Sequence, residues 1–144
     1  MNPTLIQCPA CGVKNRIPPE KQHLRPKCGR CGQSLAGAGS VMELDDRSFD
    51  RIVRESPLPL LVDFYSPTCG PCRSLAPVID AIASDFSGRL LVAKLDTSRH
   101  QQVASRHQIR GVPTLLFFKN GSLADQIVGA APRAQIEQHI LALL

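Results

Sequence analysis

Apolar positions fall into two regimes along the chain. Beyond about residue 40 they recur at strand-like and helix-like spacings in turn, whereas residues 1–36 hold no periodic apolar stretch long enough to form a core. Phe49, Ile52 and Val53 mark one side of a helix running to about Glu55, with Asp45 or Asp46 placed to cap it and Pro57 and Pro59 ending it. Leu60 to Tyr65 is a short apolar, β-prone run between Pro59 and the turn SPTCGP, which predicts a buried strand. A helix follows at once: Pro71 suits its first turn, and Leu75, Val78, Ile79, Ile82 and Phe86 form an apolar stripe. Pro77 inside that stripe predicts a kink, because its ring nitrogen cannot donate to the Arg73 carbonyl. Further strands are predicted over Leu90 to Leu95 and Thr114 to Lys119, with a short helix over Arg99 to His107 between them. Asn120-Gly121 is a hairpin turn into Leu123 to Val128, and a last helix from Pro132 turns Ile136, Ile140 and Leu143 inward. Helix and strand signals in alternation predict an α/β domain.

At 144 residues and 43% hydrophobic content, the chain can bury one core of roughly 100 to 110 residues with a small appendage left over. The appendage is rich in Cys, Pro, Gly and Lys/Arg, and the AGAGS run at 36–40 has the composition of a flexible joint. The expected division is a module over 1–36, a linker over 37–43 and an α/β domain over 44–144, with the joint near residue 40. The formal charge of +5 also belongs to the appendage, where six Lys/Arg face only Glu20 while the remaining eleven cations meet eleven anions. The longest apolar runs, 58–65 and 112–118, fall well short of the roughly 20 residues that span a bilayer, so a soluble protein with no membrane partner is expected.

Six cysteines in so short a chain would suit a secreted disulfide scaffold, but the start MNPTLIQCPACG carries neither the basic stretch nor the apolar run of a secretion signal. A reducing compartment, the cytoplasm, is therefore expected. There cysteines serve metals or catalysis more often than structural bridges, and these six form three Cys-x-x-Cys pairs. Cys8-x2-Cys11 and Cys28-x2-Cys31, sixteen residues apart, have the spacing of a four-thiolate zinc ribbon or knuckle. Soft thiolates at tetrahedral angles satisfy zinc, and the binding energy replaces the core that this segment lacks. Four cysteines leave no position open for water, so one structural Zn2+ per chain is expected rather than a catalytic one. Four thiolates and one zinc also lower the module's charge from +5 to about +3, and nucleic acid is not an expected partner.

Cys69-Gly70-Pro71-Cys72 stands between a predicted strand and a predicted helix, a context that makes a Cys-x-x-Cys pair a redox candidate. Cys69 at the helix N-terminus meets unpaired N–H groups and the positive end of the dipole, which favour a thiolate. Cys72, a turn further in, should be more shielded, so Cys69 is the expected attacker and Cys72 the resolver. Gly70-Pro71 permits a tight start to the helix and stiffens it, keeping the two sulfurs close enough to bridge. The competing possibility, a third metal half-site, has no further cysteine in this chain to complete it.

Leu61-Val62-Asp63-Phe64-Tyr65 followed by Cys69-Gly70-Pro71-Cys72 resembles the active-site strand and turn of the thioredoxin family. Pro77, Lys94 in VAKLD, Val112-Pro113-Thr114 and Lys119-Asn120-Gly121 continue the likeness in order, over about residues 41–144. With the four-cysteine module added, the chain is similar to the bacterial zinc-containing branch of that family, the thioredoxin 2 type. The resemblance implies a thioredoxin fold, a central mixed sheet flanked by helices, and a protein-disulfide reductase working through a Cys69-Cys72 dithiol/disulfide cycle. It implies that Asp63 is a buried carboxylate that takes the Cys72 proton, and that Pro113 is a cis proline facing the cysteines with the Val112 backbone left for a substrate strand. Lys94 would either lie by Asp63 and tune it or be an exposed lysine at a strand end. Implied partners are disulfide-containing client proteins and an NADPH-dependent thioredoxin reductase as electron donor; the chain itself has no GxGxxG and is expected to bind no nucleotide. The chain departs from the family pattern at Thr68 and Tyr65, where tryptophan is common, which touches partner choice and redox poise but not the dithiol. An alternative from another class is a redox-sensing zinc protein whose oxidised thiolates release metal and expose a surface for partners.

Overall fold

The computed structural model describes residues 4–7, 13–17, 28–31 and 41–144. The elements run β1 (Thr4–Gln7), β2 (Lys14–Ile17), β3 (Met42–Leu44), α1 (Phe49–Glu55), β4 (Leu60–Tyr65), α2 (Gly70–Asp85), β5 (Leu91–Asp96), α3 (Gln101–Arg106), β6 (Thr114–Lys119), β7 (Ser122–Val128) and α4 (Arg133–Leu141). β1 and β2 form a separate antiparallel pair. The other five strands make one mixed sheet in the order β3-β5-β4-β6-β7, in which β3, β5 and β4 are parallel, β6 runs against them, and β7, antiparallel to β6, runs their way again.

Period-two alternation along the central strands sorts their side chains into two apolar layers. Leu61, Val92, Leu115 and Phe117 face α2 and α4, where they pack on Leu75, Ile79, Ile82, Ile136 and Ile140. Leu60, Val62, Phe64, Leu95 and Leu116 face the other way, onto Phe49, Ile52 and Val103 of α1 and α3. Asp63 breaks this pattern: it occupies an α2-facing position on a strand whose neighbours are apolar, and is only 4% exposed. Its row across the sheet reads Glu43, Lys94, Asp63, Leu115, Ile127, polar on three strands and apolar on two.

Two expectations are corrected here. β3 begins at Met42, inside the segment assigned to the linker, and Met42 and Leu44 are buried against β5 while Glu43 between them is exposed. The aspartates before α1 also act differently from a simple cap. Asp45 Oδ1 accepts from the backbone N–H of Arg47 and Ser48, at 2.9 and 2.7 Å, which closes the turn leading into the helix. Asp46 Oδ1 instead accepts from Val103 N–H at 3.0 Å, serving the first turn of α3. α2 continues through Pro77 to Asp85. Among the described residues no helix is long and apolar enough to cross a membrane.

Candidate active site and metal module

The redox candidates lie where β4 hands over to α2. Cys69 is the N-cap of α2, in an extended conformation, and its sulfur accepts the backbone N–H of Cys72 at 3.1 Å. The sulfur thus takes the place of the oxygen that usually satisfies an unpaired donor at a helix start. Cys69 and Cys72 are joined as a disulfide with their Cα atoms 5.2 Å apart. Cys69 is half-buried and Cys72 is buried at 3% exposure, so an incoming group reaches Cys69 first. Pro71 is in the first turn and exposed. Gly70 is exposed, and a Cβ there would meet nothing within 4 Å.

The Val112-Pro113 peptide is cis and Pro113 is buried, beside the start of β6. The Val112 carbonyl oxygen lies 3.6 Å from Cys69 Sγ, and the Pro113 carbonyl accepts from Gly129 N–H at 2.8 Å. Pro113 is thereby fixed while Val112 is left beside the sulfur, with no backbone partner among the described residues.

Asp63 lines a cavity of about 130 Å³ under the first turns of α2, together with Cys72, Tyr65, Arg73, Asp80 and Lys94. Its Oδ1 is buried without a hydrogen-bond partner among the described residues. Burial pushes its pKa up to about 7, against the opposing pull of the Lys94 ammonium and with the help of the Glu43 charge. Lys94 stands beside Asp63 in the sheet, not at a strand end, yet its ammonium makes its ion pair with Glu43 at 3.8 Å. Thr68 is exposed, its hydroxyl 3.1 Å from that of Ser66, so hydroxyls border Cys69 where the family often has an indole. The residue that sequence reasoning missed is Glu43. The alternation Met42-Glu43-Leu44 is its signal, apolar on both sides of one acid, but the run is three residues long and was assigned to the linker and its edge.

In the N-terminal module, Cys28 is buried and Cys31 exposed, on a turn over 28–31. The Arg30 N–H points at Cys28 Sγ at 3.4 Å, and Gly29 N–H donates to Asn15 Oδ1 at 3.0 Å, which ties the turn to β2. A backbone donor aimed at sulfur favours thiolate over thiol, so this turn suits a soft metal ion. The register Gln7↔Lys14 ends the β1–β2 ladder one residue before Cys8. Cys8 and Cys11 lie outside the described residues.

A family model described as "Thioredoxin" matches residues 40–142. The chain belongs to the thioredoxin family. A zinc-ribbon model described as "Thioredoxin 2, N-terminal" matches residues 7–33. The chain is 43% identical over 100 residues to the chloroplastic M-type thioredoxin of Spinacia oleracea, covering 69% of this chain and 55% of that protein. It is 45% identical over 99 residues to thioredoxin 1 of Nostoc sp., covering 69% and 92%. With the chloroplastic M-type thioredoxin of Chlamydomonas reinhardtii the likeness is 38% over 126 residues, 86% of this chain and 90% of the relative. The chain therefore spans about half the length of the spinach relative but most of the other two.

Proposed function

We propose that this chain is a thiol:disulfide oxidoreductase that reduces protein disulfides through Cys69 and Cys72. The observation that carries the reading is the pairing of a half-buried Cys69 sulfur, hydrogen-bonded at a helix start, with a buried Cys72 that shares a cavity with Asp63. In the dithiol form Cys69 attacks one sulfur of a client disulfide; that S–S bond breaks, the other client sulfur leaves with its electrons, and a mixed disulfide remains. Cys72 then attacks Cys69 Sγ and gives its proton to Asp63. A carboxylate whose pKa lies near 7 is matched to this transfer, since it is ionised often enough to accept and basic enough to hold the proton. The second client thiol departs and the Cys69-Cys72 disulfide is left. Val112, beside the sulfur, offers backbone groups to an extended client segment, and cis-Pro113 holds that edge in place.

By family analogy the clients are disulfide-containing proteins and the electron donor is an NADPH-dependent thioredoxin reductase; the three Cys-x-x-Cys pairs favour a reducing compartment, for which we propose the cytoplasm. Cys8, Cys11, Cys28 and Cys31 would hold one zinc, which supplies folding energy to the module and takes no part in the exchange. We assign the module to 1–36 and the joint to the residues before β3. Insulin reduction with NADPH and thioredoxin reductase tests the activity: turnover that depends on both, and is abolished in Cys69→Ser, is expected, whereas no turnover with any thiol donor contradicts it. The exposure of Cys31 favours a second reading, a zinc module that senses oxidants. Zinc release at oxidant levels that leave Cys69 and Cys72 reduced would select that reading.

A further inference from the structure

The disulfide cycle leaves one well-connected acid unused. Glu43 projects from β3 in register with Lys94, which is itself in register with Asp63, so three ionisable groups form one row across three parallel strands. Its two carboxylate oxygens are divided between partners. Oε1 accepts the Tyr65 hydroxyl at 2.6 Å, and Oε2 lies 3.8 Å from Lys94 Nζ. Tyr65 is two residues beyond Asp63 on the same face of β4, so its ring crosses β5 to reach Glu43. On the way it covers Lys94, whose ammonium lies 5.3 Å from the ring centroid. Lys94 is held between a carboxylate and an aromatic face and turned toward the sheet edge.

We infer that Glu43 is a positioning residue for the resolving step: it draws the Lys94 ammonium away from Asp63, so that Asp63 stays a proton acceptor instead of becoming the carboxylate half of an ion pair. The inference rests on the reading of Asp63 given above. In that step the Cys72 S–H proton passes to Asp63, a Cys72–Cys69 S–S bond forms, and the Cys69–client S–S bond breaks with its electrons leaving on the client sulfur. No outside oxidant or reductant is consumed.

The groups that face Asp63 are Glu43 from β3, Lys94 from β5, Tyr65 from β4, and Cys72, Arg73 and Asp80 from α2, while Asp96 of β5 acts on Tyr65. Lys94 favours the charged form of Asp63 and Glu43 opposes it. Removing Glu43 therefore acts twice with one sign, deleting a like charge and freeing a cation. Glu43 is exposed on an edge strand and its ion pair with Lys94 is solvated, so the fold should stand without it.

The test uses the full chain with its zinc and two variants, Glu43→Gln and Glu43→Lys. Carbon NMR follows the Asp63 carboxyl directly, and its titration should move to lower pH in Glu43→Gln and further in Glu43→Lys. Stopped-flow reaction of the reduced protein with dithiobis(nitrobenzoate) gives two successive releases of chromophore, the first from attack by Cys69 and the second from resolution by Cys72. The pH profile of the second release should follow the Asp63 titration downward while that of the first stays in place. An Asp63 titration unchanged in both variants overturns the role of Glu43 and leaves Asp63 as the acceptor. A titration that moves without any change in the second release overturns the Asp63 reading itself, and the role of Glu43 with it.

Discussion

The backbone N–H of Cys72 donates to the sulfur of Cys69 at 3.1 Å, so the helix that buries one cysteine also stabilises the other. Burial of Cys72 at 3% exposure and partial exposure of Cys69 give the pair unequal reactivity. A limiting amount of iodoacetamide added to the reduced protein should label Cys69 well ahead of Cys72, read by peptide mass analysis of the 69–72 turn. Equal labelling would mean that the asymmetry of the turn does not reach its chemistry.

Asp63 makes stability fall as pH rises. Below about pH 4 both folded and unfolded chains hold its proton; above that the unfolded carboxyl ionises at its ordinary 3.8, while the folded one keeps its proton up to about 7. The difference corresponds to about 4 kcal/mol lost between pH 4 and 7, with no further loss above. Asp63→Asn should remove this slope, leaving the variant more stable than the parent at pH 8 and similar to it near pH 3, as measured by urea unfolding. The same variant should release the mixed disulfide more slowly near neutral pH with little change in the initial attack.

On the opposite face of the sheet, Phe49 packs edge-on or tilted against Phe64, His107 and Phe118, with ring centroids 5.9, 5.2 and 5.7 Å away. Phe49→Ala should cost about 3–5 kcal/mol and lower Tm by on the order of 10–20 °C. Calorimetry that finds a loss below about 1 kcal/mol would show that this cluster does not anchor α1.

The parts of the fold legible in the sequence are those with enough residues to carry a period. Leu60–Tyr65 and the Leu75, Ile79, Ile82 stripe announce β4 and α2 because burial requires their spacing. β3 was not legible as a strand, since three residues cannot establish a period and its pairing with β5 is fixed only in the folded sheet. Glu43 was missed for the same reason. Its importance arises from the register that sets it beside Lys94, which no local pattern encodes. The β1–β2 pair was hidden likewise, being four residues long on each side. The cysteines were legible because their chemistry depends on short spacings, whereas the Cys69 contact with Val112 spans 43 positions.

Among the described residues, every buried residue of the two apolar layers lies between Met42 and Leu143. A chain beginning at Ser40 should therefore fold without zinc and still reduce disulfides. Circular dichroism and a turnover assay on that shortened chain check this, and loss of either would make the zinc module part of the catalytic unit.

Trapping of client proteins tests the dithiol cycle most directly. Cys72→Ser keeps the attacking sulfur and loses the resolving one, so it should accumulate mixed disulfides with clients, separable by a non-reducing gel and released by dithiothreitol, while Cys69→Ser traps almost none. Equal trapping by the two variants, or trapping by Cys69→Ser alone, would contradict the assignment of Cys69 as the nucleophile.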